Sequence, residues 1–530
     1  MGELERLLAA RSTRRRFLTA GGAAAAIALT TGLPRPGTAS AQRAAGYPFR
    51  LGIASGEPLP DGIVLWTRLA PEPLEPFGGM PYAKVPVVWE LAADERFRQI
   101  VRAGNAVAAP ELGHSIHVDV RGLEPGREYF YRFRSGAHVS DTGRTKTAPA
   151  PGARLDSLAL AFASCQVWYE GYYTAYADLA RHDLDVVLHL GDYIYEYGIP
   201  ADSVRGDGET IPASFRRETV TLDDYRQRYA LYKTDPDLQA AHRVAPWIVT
   251  LDDHEVENDW AGDVSEGNDP RDEFLVRRAN AFRAYWENMP LRLPQLPTGP
   301  DAQLYRRFAF GDLAEISVLD TRQYRSDQPN GDGIKAPNDQ TADPSRTITG
   351  AEQERWLLDG LGASGARWNV IAQQVAMTRL DVSAGPSVLV PMDTWDGYEA
   401  SRRRVFQGIL DRGVDNVVVL TGDLHRSVAA DLKLDFADPE SPTVGAELVG
   451  TSVTSGKDGE DTDDTGRTIL AENPHVKYHN FQRGYVVCRL DREQLRGDYR
   501  VAPYVTRPGA DLFTRASLVV EDGVPGLHTA

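Results

Sequence analysis

Six strand-length apolar runs, at 158–163, 186–190, 247–251, 316–319, 370–372 and 417–420, constrain this chain more than any other feature of its sequence. Each is apolar at consecutive positions, so both faces of the strand need cover. Helix-like stretches lie between several of them, such as 274–286 and 353–361. The second has Thr349 placed as its cap, with Glu352 three residues on. Doubly covered strands alternating with helices predict an α/β fold, layered as an α+β sandwich. Residues 456–470, rich in Gly, Asp and Thr, read as an acidic loop, and no internal repeat is found.

Residues 46–147 have another rhythm. Short strand patterns at 63–68, 85–90, 115–120 and 128–133 are separated by Gly/Pro turns, the pattern of a small all-β sandwich. The Leu-x-Pro-Gly-x-x-Tyr-x-Tyr-x-Phe string from Leu123 to Phe133 resembles fibronectin type III-like modules, and its aromatics are expected in a core. Ala148-Pro149-Ala150-Pro151-Gly152 reads as a linker to the layered domain, 153–510, with 511–530 as a tail.

Residues 1–41 are set aside as a targeting segment. Thr13-Arg14-Arg15-Arg16-Phe17-Leu18, an Ala-rich apolar stretch from Gly21 to Leu29, and Ala39-Ser40-Ala41 look like a twin-arginine export signal. That implies the twin-arginine machinery as a partner and a secreted, periplasmic or cell-wall location. No stretch is long and apolar enough for a stable membrane span. Such export carries folded proteins, which suits a metal loaded inside the cell. Two cysteines in a chain of this size do not make a disulfide scaffold, and separate roles are expected for Cys165 and Cys488, the latter in a core strand.

The chemistry stands where the apolar runs stop. They end in Ser164-Cys165-Gln166, Gly191-Asp192-Tyr193-Ile194-Tyr195-Glu196, Asp252-Asp253-His254-Glu255-Val256-Glu257-Asn258, Gln373-Gln374 and Thr421-Gly422-Asp423-Leu424-His425-Arg426. In sheets of this kind, sites form at the carboxyl ends of the strands. Carboxylate, amide oxygen, imidazole, thiolate and phenolate are metal-binding groups, and five strands bring them to one rim. Gly191 and Gly422 let the backbone pass close to a metal or phosphate. Arg226 and Arg228, in Tyr225-Arg226-Gln227-Arg228-Tyr229, are candidate phosphate contacts, with Arg426 and Arg322 as further ones. His254 suits a phosphate contact or general acid. His189, inside an apolar run, is expected in the core, and Tyr193 and Tyr197 are expected to pack.

These strings, with Phe49-Arg50-Leu51-Gly52-Ile53-Ala54-Ser55-Gly56-Glu57-Pro58 and Val64-Leu65-Trp66-Thr67-Arg68 ahead of them, resemble the PhoD-like alkaline phosphatases in content and order from about residue 46 to 505. The resemblance implies a metallophosphoesterase-like catalytic domain behind a small N-terminal β-domain. It implies ferric iron beside calcium, with Cys165, Asp192, Tyr195 and His425 on the iron. Asp192 would bridge to calcium, with Asp253 and Asp423 as further ligands and Gln374, Asp252 and Asn258 as additional candidates. Relative to the wider superfamily, Asp replaces one His in Asp423-Leu424-His425 and Gln374 stands where another would be expected. Oxygen for imidazole favours calcium over zinc.

The implied activity is hydrolysis of small phosphate esters by metal-activated hydroxide. A phosphodiesterase or phospholipase D-like activity would use the same core. A non-catalytic secreted binding protein and a purple-type acid phosphatase are the other readings. A formal net charge of −17 argues against a nucleic-acid-binding surface. No Gly-x-Ser-x-Gly nucleophile motif stands at the rim.

Overall fold

Two large sheets collect the apolar runs. The computed structural model describes residues 46–205 and 211–529. The export signal read over 1–41 lies outside the described residues.

At the centre of the first sheet, Ser157–Ala163, Val186–His189 and Trp247–Val249 lie parallel and adjacent. Gly484–Asp491 continues it antiparallel on one side, followed by Gln494–Val501, Phe513–Glu521 and Val524–Thr529. The second sheet is built on four parallel strands, Ala314–Val318, Trp368–Gln373, Val417–Thr421 and Thr443–Val449. Three antiparallel strands complete it, Arg306–Phe310 at one edge and Ser427–Lys433 and Val476–Asn480 at the other.

Consecutive apolar residues give each strand two buried faces. Leu158, Leu160 and Phe162 point between the sheets, where they meet Val370, Ala372, Val418 and Leu420. Ala161 and Ala163 point outward with Trp247 and Val249, against residues of the helices Thr174–Leu179, Leu222–Lys233, Pro236–Val244 and Arg271–Asn288. On the other side Ile371, Val417 and Val419 are covered by Gly350–Ala363 and Glu399–Asp411. The result is four layers, helix–sheet–sheet–helix, an α/β domain as the alternation of runs predicts.

The N-terminal region is the all-β unit expected, with Tyr129, Tyr131 and Phe133 fully buried in its core. Its boundary differs from the linker reading. Only one of its two layers is separate, formed by Ile100–Ala108, Val85–Ala92, Glu128–Ser135, His138–Val139 and Gly143–Lys146. The other layer, Ile53–Leu59, Gly62–Arg68 and Ser115–Arg121, is the end of the first large sheet, which therefore has ten strands. Ile53–Leu59 joins Trp247–Val249 in parallel at Gly56 and Trp247. Ion pairs clamp the seam: Arg306 to Glu57 at 2.6 Å, and Arg292 to Asp119. The indole of Trp66 donates to the Glu287 carbonyl at 2.9 Å. The Pro-rich segment at 148–152 separates the regions in sequence but not in the sheet.

Three local readings are corrected. Thr349 precedes its helix with its hydroxyl unbonded, and Thr347 Oγ1 accepts from the Gly350 amide instead. The acidic stretch at 456–470 contains the start of a helix, Asp464–Glu472, capped by Asp463. Thr443–Val449 is a buried parallel strand that the apolar-run pattern misses because Glu447 interrupts it. That carboxylate is fully buried and accepts from Thr421 Oγ1 and the amides of Met377 and Thr378.

At Gly56 a Cβ would lie 2.6 Å from the Trp247 carbonyl oxygen and 2.7 Å from that of Pro290. Both are backbone and cannot step aside. Gly56→Ala is expected to cost about 1–3 kcal/mol and to expose the 148–152 linker to limited proteolysis. An unchanged urea midpoint and digestion pattern would show that the seam is not tightly packed.

Candidate active site

The rim forms where carboxyl ends of both sheets meet. Ser164, just past the first central strand, bridges in parallel to Ser452, just past Thr443–Val449. Cys165, Asp192, Asp423 and His425 follow their strands in left-handed backbone conformations, with φ of 60°, 56°, 60° and 56°. Such angles are uncommon for residues with a Cβ and concentrate at functional sites. The turns also require their glycines. A Cβ on Gly191, at φ 110°, would lie 2.3 Å from that of Asp252, and one on Gly422 would lie 2.7 Å from Ser164 Oγ.

Three sets of ligand-type atoms each gather within 4.8 Å: Cys165, Asp192 and His425; Asp192, Asp253 and His254; Asp252, Asp253 and Asp423. Asp192 belongs to two sets and so does Asp253, which makes the sets one continuous cluster. The Tyr195 hydroxyl joins the first set, 2.8 Å from Asp192 Oδ2, 3.1 Å from His425 Nε2 and 2.8 Å from Ser455 Oγ. The rim thus assembles Cys165, Asp192, Tyr195, Asp252, Asp253, His254, Asp423 and His425 from the residues singled out in the sequence.

Acidic side chains behind the rim hold it. Glu255 accepts the backbone amides of Asp192 at 3.1 Å, Tyr193 at 2.6 Å and Asp252 at 2.8 Å, so one carboxylate fixes two of the turns. Each of those amides would cost about 1–3 kcal/mol if left buried and unpaired. Glu196 accepts from His254 Nδ1 at 2.8 Å and from the Asn258 amide at 2.9 Å. Both glutamates lie inside the strand-end motifs, but as structural supports their spacing gives no sign of them. Ser455 follows the strand that Glu447 disguises.

The electrostatics are those of a cluster short of positive charge. Burial first, and neighbouring acids after it, push Asp192 and Asp423 well above the carboxylate range. Burial, then Asp192, raises the Cys165 thiol and the Tyr195 phenol in the same way. Two carboxylates 4 Å apart repel by about 4 kcal/mol at an effective dielectric of 20. Several at that range need protons or cations. Burial opposes the charge on His254, but Glu196, Asp253 and Asp192 outweigh it and hold its pKa well above the usual histidine value. His425 is the opposite case: burial, then Arg483 and His254, lower it to about 3, which leaves a neutral imidazole.

Other candidates are placed elsewhere. Gln374 is spent on the scaffold: Oε1 accepts from the Thr321 amide and hydroxyl, and Nε2 donates to Thr250 Oγ1 and the Leu319 carbonyl. Arg226 is paired through two nitrogens with Glu287, at 2.7 Å each. Arg228 is buried and donates to the carbonyls of Tyr195 and Tyr197 at 2.5 and 2.6 Å, so it holds the tyrosine loop from behind. Neither arginine is free to take a phosphate. Arg426 is paired with Asp463 at 2.8 Å. Asn258 turns its amide nitrogen to Asp259 and Glu266. His189, Tyr193 and Cys488 are core residues as expected, and both cysteines are free. Tyr197 does not pack away: it is 39% exposed, with its ring edge against His254 at the rim.

Comparison with known proteins gives the same reading. The PhoD-like phosphatase family matches residues 160–499, and the PhoD-like phosphatase N-terminal domain matches residues 36–149. Alkaline phosphatase D of Bacillus subtilis (strain 168) is 50% identical over 519 residues, 97% of this chain and 88% of that one. The solved structure of PhoD superposes with a TM-score of 0.89 at 51% identity, over 92% of this chain and 93% of that one. Fold, rim and relatives together define a phosphoric ester hydrolase. The chain belongs to the PhoD-like phosphatase family, as an alkaline phosphatase of that group. A non-catalytic binding protein and a purple-type acid phosphatase are thereby set aside.

Glu196 is the largest of the charges that keep His254 protonated. Glu196→Gln removes it, so His254 loses its proton at lower pH. The alkaline limb of kcat/KM on a phosphate ester is expected to move down by about one pH unit or more. An unmoved limb would show that the charge of His254 does not matter to turnover.

Proposed function

We propose that this chain is an exported phosphomonoesterase that works with ferric iron and calcium held in its rim. The observation that carries the reading is the Tyr195 hydroxyl, within hydrogen-bond distance of Asp192 and His425 and beside the set that contains Cys165. Phenol, carboxylate, imidazole and thiol in one buried spot have little use except on a metal.

The donors present fit such ions. Asp192 Oδ1, Asp252 Oδ2 and Asp253 Oδ1 are buried and have no hydrogen-bond partner. Cys165, Asp192, Tyr195 and His425 would hold the iron. Asp192, Asp253 and Asp423 would hold calcium, with Asp252 beside them. When bound, such cations neutralise phosphoryl charge and make water a better nucleophile at moderate pH. The chain's own groups do the rest. His254, held charged by Glu196, carries a proton on the ring nitrogen turned away from Glu196 and can give it to the leaving oxygen. Glu255 fixes the turns that aim Asp192 and Asp252. Asp423 and His425 are only half-buried and Tyr197 is exposed beside His254, so the ester approaches from their side.

The four layers support a metallophosphoesterase-type sandwich. Export rests on the twin arginines and apolar stretch of the first 41 residues. No helix among the described residues is long and apolar enough to cross a membrane.

The test compares a phosphomonoester with a bis-ester on the native protein and on Asp192→Ala. Faster monoester turnover, lost by at least 10³-fold in a folded variant (roughly), is the expected result. Faster bis-ester turnover would make the chain a phosphodiesterase on the same rim. Retained activity in Asp192→Ala would remove the shared ligand from the reading.

A further inference from the structure

Arg322 is a buried cation that the reaction as described does not use. It follows the strand Ala314–Val318, and its backbone is pinned: its amide donates to Asp320 Oδ1 and its carbonyl accepts from the Gly262 amide. Its side chain has no solvent exposure. Nε pairs with Asp252 Oδ1 at 2.5 Å, and Nη1 pairs with Asp393 Oδ2 at 2.9 Å. Nη2 makes no hydrogen bond and stands 3.7 Å from Asp253 Oδ1 and 3.9 Å from Asp423 Oδ1. The fork therefore faces all three acids of the Asp252, Asp253 and Asp423 set.

Asp393 holds the guanidinium from the far side. It also accepts from Arg325, through Nη1 and at its carbonyl through Nη2, and from Gln328 Nε2 at 2.7 Å. Asp393 is thus tied to other groups, which leaves the charge of Arg322 for the acids of the rim. An arginine suits this place because it keeps its proton under any buried condition and its planar fork reaches several carboxylates at once. A lysine in its place would supply a single point of charge.

We infer that Arg322 is a positioning residue, a permanent cation that keeps Asp252, Asp253 and Asp423 assembled when no calcium is bound. The inference rests on the metal-centred reading of the rim. Without Arg322, the buried Asp252 and Asp253 would face the half-buried Asp423 with no cation on that side, since His254 stands with Asp253 and Asp192, and a bound divalent cation or added protons would be needed to hold the three together. With it, the acids of this side are in place before the ion arrives.

The experiment is thermal unfolding of the full mature protein in the presence of EGTA and in excess calcium chloride, for the native chain, R322Q and R322K. The native chain is expected to lose a little stability on chelation and regain it with calcium. R322Q is expected to lose at least about 3 °C more than the native chain in EGTA and to regain most of that difference with calcium. R322K should lie between the two. Equal losses for R322Q in both conditions would mean that Arg322 is merely part of the core, and R322K no better than R322Q in EGTA would mean that its charge is not what counts. Either result overturns the inference while leaving the metal reading intact. A native chain indifferent to both EGTA and calcium would overturn the two together. Should R322Q fail to fold, R322K carries the test alone: it must lose more than the native chain in EGTA and regain most of the difference with calcium, and equal losses in both conditions overturn the inference.

Discussion

Negative charge gathered in a buried place, at the ends of strands that meet from two sheets, is what the rest of this structure serves. Asp192, Asp252 and Asp253 are almost wholly buried and each keeps a carboxylate oxygen without a partner. A fold tolerates this only when the geometry is held rigidly and a cation is near. The rigid part is visible. Glu255 ties two turns together through three amides, Arg228 fixes the tyrosine loop through its carbonyls, and Arg483 donates to the His425 carbonyl at 2.7 Å. The strained angles at Cys165, Asp192, Asp423 and His425 are a consequence, since a strand must turn sharply to aim its next side chain back over its own end.

The N-terminal β-unit takes part in that rigidity. Three of its strands extend the sheet that carries Cys165, Asp192 and Asp253, and Gly56 meets the strand that ends in Asp252. Trp66 and His117 reach across the seam to the helix Arg271–Asn288 and the residue after it, where His117 bonds the carbonyls of Trp286 and Met289 at 2.9 Å. The unit is therefore a flank of the catalytic sheet.

Much of this was legible in the sequence, for physical reasons. A strand buried on both faces must be apolar at consecutive positions, so the runs at 158–163 and 417–420 announce both sheets. Ligand-type residues right after such runs fall on one rim, which brought Cys165, Asp192, Tyr195, Asp253, Asp423 and His425 to notice. What sequence could not supply was direction and partnership. Gln374 sits in the right register, yet its amide is consumed by Thr321, Thr250 and Leu319. Arg226 and Arg228 look like a cationic pair, yet one is tied to Glu287 and the other to carbonyls. Glu447 hid a central strand because a buried, fully bonded carboxylate reads in one dimension as a break in an apolar run. The seam at Gly56 was illegible because a Pro/Gly-rich linker marks chain direction and says nothing of sheet pairing.

The central claim, that these residues form one metal centre with Tyr195 on iron, is tested most directly by elemental analysis and the visible absorption spectrum of one purified, active sample. Iron near one equivalent with calcium beside it, and a tyrosinate-to-iron absorption band, is the predicted result. Zinc or manganese without colour would take Tyr195 off the metal, and active protein with no bound metal would contradict the account as a whole.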